Sequence, residues 1–161
     1  MPLKLFGALL LSAAGLAAGC RRAAALNRRR RFWTQFLAFI SRLETGLRYR
    51  NTSLYILVNS SGELFKIPEE KKEKPFEENW RELISPLTVR FSLSGEDRAM
   101  LERFGERLGK TDLEGQLSHL ALYSSLAEKQ LGSAEEDVKG KAKLYRTLGL
   151  FVGVSAAIMM M

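Results

Sequence analysis

The side chains able to do covalent, acid–base or metal chemistry are few and far apart. His119 is the sole histidine and Cys20 the sole cysteine among 161 residues. A structural or catalytic metal wants several such ligands at short spacing, and nucleophilic catalysis wants a thiol or hydroxyl beside a base. Neither arrangement is written here. His119 sits beside Leu117 and Leu120, two positions of a helical apolar face, so it reads as a hydrogen-bonded helix histidine. No Walker loop and no Gly-x-Gly-x-x-Gly turn occurs, which leaves nucleotide binding without a motif. The 18 carboxylates are plentiful, but each pair has a place in a helix cap or a solvated face. The expectation is a non-enzymatic protein with no catalytic residue, no cofactor and no metal.

Charge is the stronger chemical signal. The formal net charge is +7, and it is concentrated: residues 21–50 hold nine arginines and one carboxylate, whereas residues 51–161 hold fifteen basic and seventeen acidic side chains. Arg21, Arg22, Arg28, Arg29, Arg30 and Arg31 therefore form one basic collar, expected to face anionic lipid headgroups. Phe32, Trp33 and Phe36 follow directly, and aromatics interleaved with arginine also suit single-stranded RNA. Their helical spacing favours a core stripe over a nucleic-acid surface. With one cysteine, no intrachain disulfide can form.

The collar borders an apolar stretch. Leu5 to Cys20 carries no charge, and with its neighbours it approaches the roughly 20 residues of a spanning helix. A cleaved export signal would carry its positive charge before the apolar run, and here the charge follows it. The Ala-Ala-Gly-Cys ending at Cys20 raises a second reading, an exported lipoprotein, which Arg21 and Arg22 oppose. A membrane anchor is the third and favoured reading. At the other end Leu148 to Met161 is charge-free, preceded by Lys139, Lys141, Lys143 and Arg146. The positive-inside rule places both short ends outside and the body of the chain in the cytoplasm. Both runs are short, so flanking Lys and Arg would have to snorkel.

Helices position these features. Phe32, Phe36, Phe39, Ile40, Leu43 and Leu47 repeat at helical spacing, widened by Trp33 and Leu37, and Asn51, Thr52 and Ser53 end that helix. Leu54 to Val58 suits either a helix or a strand, and Ser60, Ser61 and Gly62 mark a break. Glu69 to Lys74 balances in charge and reads as a solvated helix face or loop. Pro75 opens a helix with Phe76, Trp80, Leu83, Ile84 and Leu87 inward, and Pro86 is expected to limit its end. Ser94 with Asp97 caps the next, through Met100, Leu101, Phe104 and Leu108, and Gly109 closes it. Thr111 with Glu114 is the expected start of a last, long helix. Its inner face would be Leu113, Leu117, Leu120, Ser124, Ala127, Leu131, Ala134, Val138, Ala142 and Tyr145. The fold class expected is all-α: a cytoplasmic helical bundle (23–146) whose first and last helices continue into N-terminal (1–22) and C-terminal (147–161) transmembrane helices.

From Ser94 onward the residues become specific. Ser94-x-Glu96-Asp97, Phe104-Gly105, Leu108-Gly109-x-Thr111-Asp112-x-x-Gly115-Gln116, His119-Leu120 and Lys143-Leu144-Tyr145-Arg146-x-Leu148-Gly149 resemble the stage III sporulation protein AB family. Leu43-Glu44-x-x-Leu47-x-Tyr49, Thr52-x-Leu54 and Trp80-x-x-Leu83 are similar more loosely, so the resemblance covers almost the whole chain. That family is in turn similar to the cytoplasmic helical domains of type II secretion and type IV pilus platform proteins. The resemblance implies helix for Leu54 to Val58, and a role in the apparatus joining mother cell and forespore in endospore-forming bacteria. It implies a helical domain in the mother-cell cytoplasm, anchored in the outer forespore membrane. It further implies a secretion-type ATPase, stage III sporulation protein AA, and other sporulation channel proteins as partners, with a homo-oligomer also open. Gly105, Leu108, Gly109, Asp112, Gly115, Gln116, His119, Tyr145 and Gly149 are the motif positions, and they read as structural.

Overall fold

The computed structural model describes residues 2–49, 53–68 and 73–160, and among these every regular element is helical. Five α-helices follow in order: α1 (Pro2–Tyr49), α2 (Leu54–Ser61), α3 (Phe76–Arg90), α4 (Gly95–Arg107) and α5 (Leu113–Met160), with a short 3₁₀ turn at Glu63–Phe65 between α2 and α3. Leu54 to Val58 is helix, as the resemblance implies. Asn51 and Thr52, expected to end the first helix, and Glu69 to Lys72 of the charge-balanced run lie outside the described residues.

The chain divides into two compact units, one of residues 31–132 and one of residues 1–30 with 133–161. The larger unit is built on aromatic side chains. On α1, Phe32, Phe36, Phe39, Ile40 and Leu43 are all buried, the stripe that their spacing predicts, and Trp33 joins them. Phe65 from the 3₁₀ turn meets Phe32, Phe36 and Phe39, the last at 4.4 Å between ring centroids. Trp80 of α3 stacks on Phe39 and Phe65 and meets Phe104 of α4 at 5.4 Å. Its indole N–H donates to the Leu101 carbonyl at 2.8 Å, so the ring is buried with its polar atom engaged.

Helix ends follow local chemistry. At α4 the Ser94 hydroxyl accepts from the Asp97 N–H and the Asp97 carboxylate accepts from the Ser94 N–H, the reciprocal box the sequence announces. At α3 the expectation fails: Pro86 lies inside the helix, which runs on to Arg90. Leu87 and Phe91, both buried, lie beyond the proline and hold the extra turn in the core. The helix ends with Ser92 at φ +55°, where the Ser92 and Leu93 N–H groups donate back to Val89 and Thr88, a Schellman closure on a serine.

The start and the inner face of α5 also differ from expectation. The helix begins at Leu113, with Asp112 rather than Thr111 as its capping residue. Its buried positions in the larger unit are Gln116, Leu120, Tyr123 and Ala127, while Leu113 is 53% exposed. Leu120, Ala127 and Ala134 of the expected face are buried, and Leu117, Ser124 and Leu131 are half-buried; the departures are exposed Leu113 and the addition of Gln116 and Tyr123, which hydropathy periodicity passes over.

The smaller unit contains the first part of α1 and the last part of α5. Its buried described positions include Ala23 and Ala134. Arg29 lies 3.7 Å from Asp137, and Asp137 also pairs with Lys141 at 2.6 Å. Among the described residues, no helix is long and apolar enough to cross a membrane. The two terminal spans expected from the sequence are therefore not supported.

Candidate functional site at the α4–α5 junction

Most of the motif residues from Gly105 to His119 converge where α4 turns into α5. The turn needs Gly109, whose φ of +82° is left-handed, and whose added Cβ would lie 2.5 Å from Leu54 Cδ2. Buried Leu108 precedes it. Gln116, one turn into α5 and 5% exposed, reaches back to this turn. Its Oε1 accepts the Gly109 N–H at 3.0 Å, and its Nε2 donates to the Thr111 hydroxyl at 2.8 Å and to the Arg107 carbonyl at 3.4 Å. One amide side chain thus engages groups that neither helix can reach. Asp112 accepts the Gly115 N–H at 3.1 Å and its own carbonyl accepts from Gln116 at 2.9 Å, which starts α5.

Gly115 belongs to this cap. A Cβ there would lie 2.7 Å from Asp112 Oδ1 and 2.9 Å from Thr111, so the close approach is within the turn and not between two helices. Gly105 is different: a Cβ would fall 2.0 Å from Trp80 Cδ1, so its absence is what lets α4 lie against the α3 indole. Tyr145 is half-buried in α5, and Gly149 lies further along that helix.

His119 stacks on Phe104 with ring centroids 5.4 Å apart and meets Tyr123 at 4.7 Å. Its Nε2 lies 3.0 Å from the Phe104 carbonyl. A carbonyl can only accept, so Nε2 carries the proton. Burial lowers the pKa of His119; the Phe104 carbonyl works against this and nearby Arg107 adds to it. The ring is thus a neutral packing and hydrogen-bonding group joining α5 to α4. Burial likewise raises the pKa of Tyr123. Among the described residues, no group of three His, Cys, Asp or Glu is placed to hold a metal ion.

One concavity opens on this junction, about 250 Å³, lined by Arg107, Thr111, Gly115, Ser118, His119 and Leu122. Its one titrating ring, His119, is held against the core by the Phe104 carbonyl and ring. Arg107, Ser118 and Leu122 are absent from the sequence-derived site residues. Ser118 and Leu122 stand three residues after Gly115 and His119, a helical spacing that signals them, whereas Arg107 lies on α4 and is brought there only by the turn.

The basic collar lies elsewhere. Arg21, Arg22, Arg28 and Arg31 are exposed, while Arg29 and Arg30 are half-buried and Arg29 faces Asp137. Arg21, Arg22 and Arg28 border a cleft of about 380 Å³ with Ala18 and Ala24. Cys20 is free and exposed.

Comparison with known proteins agrees over the full length. The family model described as stage III sporulation protein AB matches residues 4–161. The stage III sporulation protein AB of Bacillus subtilis (strain 168) is 25% identical over 170 residues, covering 99% of this chain and 99% of that protein. No solved structure matches.

Proposed function

From the premise that this chain belongs to the stage III sporulation protein AB family, and so has its role in sporulation, we propose that it is a non-enzymatic platform at a membrane. The helical unit of residues 31–132 is the docking part. It receives a secretion-type ATPase, stage III sporulation protein AA, and other sporulation channel proteins. The ends of α1 and α5 enter the outer forespore membrane from the mother-cell side.

The observation that carries this reading is the confinement of positive charge. Arginines fill the stretch that follows the apolar start of α1, lysines precede the charge-free end of α5, and the remainder is nearly balanced. Exposed Arg21, Arg22, Arg28 and Arg31 suit anionic headgroups, each worth about 1 kcal/mol near such a surface. An exposed cationic cleft lined also by Ala18 and Ala24 leaves room for a phosphate group.

The test is topology and retention in sporulating cells. Reporters fused after Gly62 and after Met161 should report inside and outside respectively, with no cleavage and no release by carbonate. Release into the soluble fraction would overturn the membrane role. Residue 62 outside, with processing at Cys20, would replace the platform with the exported lipoprotein. Salt-sensitive nucleic-acid binding by the intact chain would point to a nucleic-acid-binding protein instead.

A further inference from the structure

We propose that the concavity at the α4–α5 junction is the docking groove for a partner helix that carries an acidic pair beside a large apolar side chain. The inference names the surface used by the platform proposed above and rests on that reading. Its apolar part comes from α5. Leu122 is 56% exposed and Leu126 37% exposed, four residues apart and on the same face as Gly115, Ser118 and His119. Gly115, lacking a side chain, keeps the head of the groove open, and about 250 Å³ is the space of one large side chain with room to spare.

Its polar part comes from α4. Arg103 and Arg107 are exposed and four residues apart, and both act electrostatically on Tyr123, which places them along the α5 face. The α4 carboxylates Glu102 and Glu106, and Glu77 of α3, are committed to other cations, and Asp112 accepts the Gly115 N–H. Glu102 pairs with Arg98 at 2.8 Å, Glu106 with Arg81 at 3.5 Å, and Glu77 with Lys110. Two unneutralised guanidinium groups beside exposed leucines call for carboxylates beside an apolar anchor, and an amphipathic helix supplies both at i, i+4 spacing. Ser118 and Thr111 add hydroxyls at the rim.

The measurement uses the full-length chain in a zwitterionic detergent and two fluorescent helical peptides of about 20 residues sharing one leucine stripe. One carries Glu at i, i+4 beside the stripe, and the other carries Lys at the same places. The Glu peptide should bind at least tenfold more tightly. The double variant Arg103→Glu with Arg107→Glu, at two exposed positions, should reverse the preference with an unchanged melting temperature, and Leu122→Ala should weaken the Glu peptide several-fold. Equal affinities, no binding of either peptide, or a preference that survives the double reversal would overturn the groove. So would a dimer of the chain that Leu122→Ala dissolves, since the face would then be covered by a second copy. Any of these results would leave topology and ATPase co-purification unchanged, so failure of the groove is separable from failure of the platform reading.

Discussion

At the scale of single residues, the motif positions act through what they exclude or engage. Gly105→Ala would place a methyl 2.0 Å from a Trp80 ring that is fully buried and tied by its N–H to Leu101. Neither partner can retreat, so the variant should lose about 1–3 kcal/mol in denaturant titration, as overpacked cores do. A change under about 0.5 kcal/mol, the ordinary surface value, would remove this account of the glycine. Gln116→Ala leaves the Gly109 N–H without its acceptor and should cost about 1–3 kcal/mol. His119 couples stability to pH. Its pKa is lowered from 6.5 chiefly by burial, so the folded state favours the neutral ring. The stability that this contributes is present above the unfolded value and is lost as pH falls through the lowered one. Melting temperature should therefore drop on acidification below about pH 6.5, and His119→Gln, which cannot titrate, should drop less.

At the scale of elements, the boundaries of α4 and α5 are set by three caps. Asp112→Ala removes the acceptor for the Gly115 N–H and should cost about 1 kcal/mol, whereas Asp112→Asn, an equally good cap, should be nearly neutral. An equal loss in both variants would mean that the charge and not the hydrogen bond matters. The box at Ser94 and Asp97, the aromatic stripe of α1 and the left-handed Gly109 are legible in sequence because each depends on residues within a few positions. The course of α3 past Pro86 is not. A proline signals a helix end through its own missing N–H, but here buried Leu87 and Phe91 outweigh that local cost, and the core that buries them is made by distant segments. The start of α5 lies one residue beyond the expected cap because Thr111 and Asp112 are both good caps. Gln116 decides between them by taking the threonine hydroxyl for itself.

At the scale of the whole molecule, the question is how two units of different composition serve one task. The unit of residues 31–132 holds the aromatic core and the junction groove, and the unit of residues 1–30 with 133–161 holds most of the collar. Replacing Arg21, Arg22, Arg28 and Arg31 with Ser should weaken binding of the intact protein to vesicles containing anionic lipid, and should flatten its salt dependence. Arg29→Ser should act differently, because Arg29 faces Asp137, and should lower stability more than lipid affinity. Equal effects of the four collar replacements and of Arg29→Ser on vesicle binding would count against the collar as a lipid-facing surface.

The sequence by itself determined the all-helical class, the family, the aromatic stripe of α1, the cap of α4 and the concentration of positive charge. These are properties of spacing and composition, which a linear chain carries openly. Tertiary structure alone decided that Gly105 answers to Trp80, that Gln116 ties the α4–α5 turn, and that Arg107, Ser118 and Leu122 share one groove. It also decided that Arg29 faces Asp137. Each of these pairings joins residues whose partner cannot be known until the helices between them have packed.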